Sequence, residues 1–314
     1  MSLAEWVFDW SIRPTAPGRV GRIRARWMDH LYRQILKRDP VIQHTFWGIP
    51  LSMPFSHQLP NILRHFPNYA VNLGRLAKYT MEKYPDLRVI DVGANIGDSV
   101  AVIRQHGEAP ALCLEGDPAY FKILSANLPA LRHARAKQCF VGETAGTDAM
   151  QLDHHSGSAS LTPSKEGVVV VRRLAEVLKE EPEFLRAKLL KIDTDGYDGK
   201  ILRGAEDYLR SAKPIIFFEY DPDMLARQSD NGLAIFRYLG TLGYEGILIY
   251  DNFGDFLLST QIHETRLLSE IDHYFSGRKS SQYCDIAVVH GDDHDLFERM
   301  RGQELEISRQ QRKS

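Results

Sequence analysis

Asp193, Asp195 and Asp198 stand close together where the apolar run LLKID gives way to TDGYDGK, and Glu219 ends a second apolar run, IIFFEY. Carboxylates gathered at the ends of buried strands raise one another's pKa unless a cation or a hydrogen-bond donor offsets them. Such a group can share a metal ion, take up a proton, or face a positively charged ligand. A calcium loop starting at Asp193 is excluded. Its fifth position would be Tyr197, its sixth Asp198 in place of glycine, and its twelfth Gly204 in place of the bidentate glutamate. Asp195 and Asp198 can alternatively cap the helix that begins near Gly199. Asp193, further from that helix, is a better candidate for chemistry.

Upstream lies DVGANIGDSV, Asp91 to Val100. An apolar strand runs straight into Gly93, and Gly97 falls near the start of the following helix. Glycine lets the chain turn sharply and lets backbone approach a ligand. A helix N-terminus then offers N–H groups and positive dipole to a carboxylate or phosphate, with Asp98 and Ser99 in its first turn. The turn has two glycines where the nicotinamide fingerprint needs three, and no Gly-Lys-Ser/Thr follows for a P-loop. The next apolar run, ALCLEG, ends in Glu115 and Gly116. An acid at the tip of a second strand can accept both hydroxyls of a ribose.

These residues need a scaffold that brings strand ends together, and the chain texture supplies one. LRVIDVG (87–93), ALCLEG (111–116), QCFVG (138–142), LLKID (189–193) and IIFFEY (215–220) alternate with helical stretches at 98–106, 118–128, 199–209 and 231–242. That alternation predicts βαβ units and a doubly wound parallel sheet. ILIYDN (247–252) and CDIAVVH (284–290) can close its edge. Residues 143–167 read as loop or hairpin and 168–178 as the element that follows.

In this order and spacing, DVGANIGDSV, LEGDP, LLKIDTDGYDGKILRGA and PIIFFEY resemble the FkbM-type family of S-adenosylmethionine-dependent methyltransferases, over about residues 87–290. The resemblance implies a Rossmann-like class I fold whose seven-stranded, mostly parallel sheet has an antiparallel last strand. It also implies O-methylation of a hydroxyl on a sugar, glycan component or related natural product. Asp91, Gly93, Ala94, Asn95 and Gly97 would line the methionine part of the cofactor, with Asp98, Ser99 and Gly116 alongside. Glu115 would hold the ribose and Asp193 would face the reacting end. The family's KID-x-EG-x-E run reads KIDTDGYD here, and its Leu-Asp-Asp segment reads Leu174-Ala175-Glu176, which departs from the pattern outside the cofactor motifs.

A hydroxyl is a poor nucleophile, so a base or metal is expected to take its proton. Asp193, Asp195 and Glu219 are the candidates, with Mg²⁺ between Asp193 and Glu219 as an option of suitable oxygen chemistry. His44, His57, His154 and His155 are alternative bases. The competing functions are a nicotinamide-dependent oxidoreductase and a non-catalytic partner protein that retains the pocket.

Around this domain, assigned to 85–292, lie an N-terminal extension (1–84) and a polar tail (293–314), read as frayed. Residues 1–18 look like an irregular arm. Over 19–38, Val20, Ile23, Trp27, Leu31 and Ile35 recur at helical spacing opposite a basic face, which reads as a surface helix docked on the core, with weak contact to an anionic membrane surface or to a phosphorylated substrate as the alternatives. Residues 61–84 read as one helix. Phe46, Trp47, Phe55 and Tyr69 could either cap the active site for a sugar or pack in a core. With 314 residues, 43% of them hydrophobic, and a net charge of −2, the chain suits one domain with extensions and gives no reason to expect nucleic acid. Three scattered cysteines read as thiols, and MSLAEWVFDW lacks a signal-peptide layout, so a cytoplasmic protein is expected.

Overall fold

The computed structural model describes residues 2–13, 19–148, 150–155, 158–163, 168–279 and 282–311; of these, the side chains of 19–26, 148, 150–155 and 158–163 are not described. Its centre is an eight-stranded sheet. The strands are β1 (Val89–Val92), β2 (Ala111–Glu115), β3 (Ala134–Gln138), β4 (Leu189–Ile192), β5 (Ile215–Tyr220), β6 (Tyr244–Asp251), β7 (Phe256–Gln261) and β8 (Cys284–His290). Their spatial order is β7-β6-β8-β5-β4-β1-β2-β3. The run from β3 to β5 is parallel, and β8 lies antiparallel between β5 and β6. Seven of the strands make the expected mostly parallel sheet with a reversed last strand. The eighth, β7, pairs antiparallel with β6, so the edge is this strand and not the expected β6–β8 pair.

Alternation along each strand divides the core in two, as a sheet covered on both faces requires. Val89, Leu189, Ile215 and Val289 join one cluster, while Ile90, Leu190, Ile216 and Val288 join the other. Helices Leu174–Glu180, Asp198–Gly204, Glu206–Ala212, Gly232–Thr241 and Thr265–Phe275 cover the second face. The first is covered by Asp98–Ile103, Pro118–Asn127, Val71–Lys83, the N-terminal extension and the C-terminal helix.

The extension is more ordered than its sequence implies. Leu3–Ser11 is a helix, begun by a capping box in which the Ser2 hydroxyl accepts from the Glu5 N–H while the Glu5 carboxylate accepts from the Ser2 N–H. It therefore corrects the irregular arm. Val7, Phe8, Phe46, Leu51, Met53 and Phe55 are each at most 1% exposed. At about 1.5–3 kcal/mol per fully buried side chain, they anchor the extension firmly to the sheet. Phe46 and Phe55 are thus core residues. In the helix Arg19–Leu36, Leu31 and Ile35 of the expected stripe pack against the core beside the buried Met28, whereas Trp27 is 73% exposed.

The helix expected over 61–84 is two, Leu59–His65 and Val71–Lys83. Pro67 disfavours helical backbone at Phe66, whose φ of −131° and ψ of 79° end the first helix. The third strand likewise sits earlier than expected, at Ala134–Gln138, while Phe140–Val141 pairs with Val169–Arg172. The frayed tail is corrected too. His294–Gln311 is a helix whose Leu296, Phe297, Met300 and Glu304 are buried. Arg75 clasps the Glu304 carboxylate through Nε at 2.8 Å and Nη2 at 2.7 Å, and the Tyr79 hydroxyl donates to it at 3.0 Å. Among the described residues, no helix is long and apolar enough to cross a membrane.

Candidate active site

Strand order reverses between β1 and β4, because the chain winds outward from β1 to β3 and then crosses to β4 and β5. Ligands of open α/β sheets bind in the crevice that such a reversal leaves at the carboxyl ends of the strands. A cavity of about 400 Å³ occupies that place here. Gly93, Asn95, Asp98, Ser99, Glu115, Gly116, Asp193, Asp195 and Glu219 line it, whereas Asp91, Ala94 and Gly97 do not.

The Gly93 turn is fixed by close approach. Its φ is +76°, and a Cβ there would run into the Asp193 carbonyl. The Gly93 and Ala94 N–H groups both donate to the Leu114 carbonyl, at 2.9 and 3.1 Å. Asp98 accepts from its own N–H and that of Ser99.

Glu115 is 9% exposed. One of its oxygens accepts from the Asn95 N–H and the other from the Asp117 N–H, both at 2.8 Å. Each oxygen retains a second acceptor position. Burial pushes this carboxyl up to about 7, with the two N–H donors pulling the other way. The backbone that folds the turn thus also aims the acid.

Beneath the floor, Asp91 is completely buried and pairs with Lys191 at 3.0 Å. Lys191 also donates to the Gly93 carbonyl at 3.0 Å and lies 3.5 Å from Asp193. A lysine inside an apolar strand such as LLKID is almost never buried without partners. That rule is the signal by which this residue could have been found, and sequence reasoning passed over it.

On the opposite wall Asp193, Asp195, Glu219 and Asp285 converge. Ile192 and Phe218 are partners across β4 and β5, which sets Asp193 and Glu219 side by side, and Glu219 faces Asp285 across β5 and β8. Burial first, then the Asp193 and Asp221 charges, push Asp195 up to about 7. Glu219 is driven well above the usual carboxylate range by burial and by Asp193, to which it is hydrogen-bonded. Burial also lifts Asp285 to about 7, against a 3.0 Å hydrogen bond from Asn72. Tyr69 and Tyr283 complete this wall. Asp285 and Tyr283 were missed because β8 is reversed, so its beginning reaches the site.

Asp198 is not at the cavity. Buried at 1% exposure, it accepts from the Thr194 hydroxyl at 3.2 Å and the Gly196 N–H at 3.3 Å, tying the turn together. His57 reaches the cavity with both ring nitrogens engaged. Nδ1 accepts from the Leu59 N–H at 3.3 Å, so Nε2 carries the hydrogen and donates to Asn95 Oδ1 at 3.3 Å. Burial lowers it to about 4. His44 packs against Phe8 and Phe46, and the side chains of His154 and His155 lie outside those described. Of the four aromatics proposed for a cap, Tyr69 alone lines the cavity. Among the described residues, no three His, Cys, Asp or Glu side chains are grouped to hold a metal ion. All three cysteines are free thiols.

Residues 91–245 match the family model described as the methyltransferase FkbM domain. Methyltransferase sdnD of Sordaria araneosa is 27% identical over 192 residues, covering 48% of this chain and 74% of that one. Methyltransferase 1 of Beauveria bassiana (strain ARSEF 2860) is 25% identical over 156 residues, covering 41% of this chain and 63% of that one. The solved structure of methyltransferase FkbM from Methylobacillus flagellatus KT aligns with a TM-score of 0.37 and 17% identity, over 52% of this chain and 40% of that one.

Proposed function

We propose, from the premise that residues 91–245 form a methyltransferase FkbM domain, that the chain moves the methyl group of S-adenosylmethionine to a hydroxyl of a sugar or related polyhydroxyl compound. The residues present fit such a donor. Gly93 brings bare backbone to the cavity where the chain passes close to Asp193, and Glu115 at the tip of β2 keeps acceptor positions open for two ribose hydroxyls. The volume of about 400 Å³ lies within the usual range for small-molecule sites.

When bound, the donor supplies an electrophilic methyl carbon and a neutral thioether leaving group, so the chain's task is chiefly to position and to handle one proton. Asp193, just past the end of β4 and 52% exposed, lines the cavity and would face the reacting end. Asp195, pushed up to about 7, has the basicity to accept a hydroxyl proton near neutral pH. Glu219, Asp285 and the hydroxyls of Tyr69 and Tyr283 give the polar wall that hydroxyls of an acceptor would meet. The observation that carries the reading is that the Gly93 turn, Glu115 and this wall share one cavity.

The test is incubation of the full chain with methyl-labelled donor and a panel of sugars and polyols, with products read by mass spectrometry and NMR. A methyl ether formed by the native chain, and strongly reduced turnover in a folded Asp193→Asn variant, is the expected result. Methyl on nitrogen or carbon would remove the hydroxyl assignment. Failure of S-adenosylhomocysteine to bind in calorimetry would remove the donor as well.

A further inference from the structure

Seven carboxylates line the cavity, namely Asp98, Glu115, Asp193, Asp195, Glu219, Asp221 and Asp285, against one cationic side chain, Lys191. Lys191 is 4% exposed, and its ammonium meets Asp91 Oδ1 at 3.0 Å, the Gly93 carbonyl at 3.0 Å and Asp193 Oδ2 at 3.5 Å. One of these contacts is a hydrogen bond, to the Gly93 carbonyl, and the two carboxylates lie at ion-pair distance. The ammonium reaches only one member of the neighbouring Asp193–Glu219 pair. Two adjoining carboxylates cannot both ionise cheaply, and a cation beside one of them decides which does.

We propose that Lys191 is a positioning residue that fixes the proton of the Asp193–Glu219 pair on Glu219. Asp193 then carries the charge toward the cavity, while Glu219 stays neutral and donates to it. The same ammonium holds the Gly93 carbonyl, so the donor cradle and the charged acid are set by one side chain. Other groups around the pair act in the opposite sense or are neutral. Asp195 and the buried Asp198 come from the turn after β4, and Asp98 from the first turn after β1. Asp285 and Tyr283 come from β8 and its approach, and Tyr69 from the extension; each charge among them favours a protonated pair. The proposal deepens the reading of the site as a methyltransferase centre and rests on it for the pair's role. Its test does not need turnover.

The measurement is carboxyl ¹³C NMR of the ligand-free full chain at pH 7, labelled at aspartate Cγ and glutamate Cδ. Asp193→Asn and Glu219→Gln variants assign the two resonances. The native chain should show Asp193 ionised and Glu219 protonated. In Lys191→Met the Asp193 resonance should move toward the protonated position, and Lys191→Arg should hold it near the native one. A protonated Asp193 beside an ionised Glu219 in the native chain overturns the proposal, and that spectrum decides the matter even where Lys191→Met fails to fold. An Asp193 resonance unmoved in folded Lys191→Met overturns it as well, because a purely structural lysine would lower Tm without shifting charge. Titration with S-adenosylhomocysteine on the same samples tests the donor site separately.

Discussion

Glu115 and Asp198 are both buried acids beside a turn, yet they make opposite predictions. Glu115 opens onto the cavity, and Glu115→Ala should weaken S-adenosylhomocysteine binding by at least ~1.5 kcal/mol, roughly tenfold, by calorimetry. An unchanged affinity would take it out of the donor site. Asp198 faces inward, and burial pushes its carboxyl up to about 7. A carboxyl raised on folding gives stability that is complete below its unfolded value near 4 and is lost as pH climbs through 7, since the unfolded chain releases that proton first. Asp198→Asn has no such proton to lose. Its stability relative to the native chain should therefore improve as pH rises from 5 to 7, by up to about 1.4 kcal/mol per unit, read from urea midpoints. A flat difference would contradict the assignment. DVGANIG and LLKIDTDG drew attention to most of these acids, but a one-dimensional string cannot say which of Asp195 and Asp198 turns outward; in the folded turn Asp195, at a φ of 50°, lines the cavity and Asp198 is buried.

Among elements, the parallel strands were legible because each is a short apolar run followed by a helical period. The C-terminal helix was not. Its surface is so polar that HDLFERMRGQELEISRQQ reads as solvated tail, and its attachment depends on Leu296, Phe297, Met300 and one buried ion pair. Removing one partner of such a pair strands the other's charge, at a cost of about 3–5 kcal/mol. Glu304→Ala should lower the chain's unfolding free energy by that order in chemical denaturation. A change below ~1 kcal/mol would mean that Arg75 finds a substitute. The hairpin Val41–Phe46 and Ile49–Pro54 is fastened differently, by Asn127, whose side chain accepts from the Ser52 N–H at 2.7 Å and donates to the Ser52 and Ile96 carbonyls, both at 2.9 Å. No local pattern announces a bond spanning that much chain.

At the scale of the molecule, the extension and the sheet share a continuous apolar cluster, running from Val7 and Phe8 through Leu51 and Leu76 to Val89 and Leu189. All four tryptophans, Trp6, Trp10, Trp27 and Trp47, belong to the extension. Their fluorescence should therefore melt together with far-UV circular dichroism in one transition, as for a single cooperative unit. An earlier tryptophan transition would mean that the extension comes away by itself. The sequence divides the chain into an extension and a domain at residue 84 because motif density changes there, while hydrophobic burial takes no account of such borders. On the proposed methyl-transfer reading, the reversal of β8 has a practical consequence for anyone seeking to alter the acceptor. Forward strands deliver their working groups on leaving the sheet, but this one delivers Tyr283 and Asp285 on entry, far along the chain from the donor's grip. Exchanging that incoming stretch for a relative's should retune the choice of recipient, scored on a mixed sugar panel, and leave the hold on the nucleoside as it was.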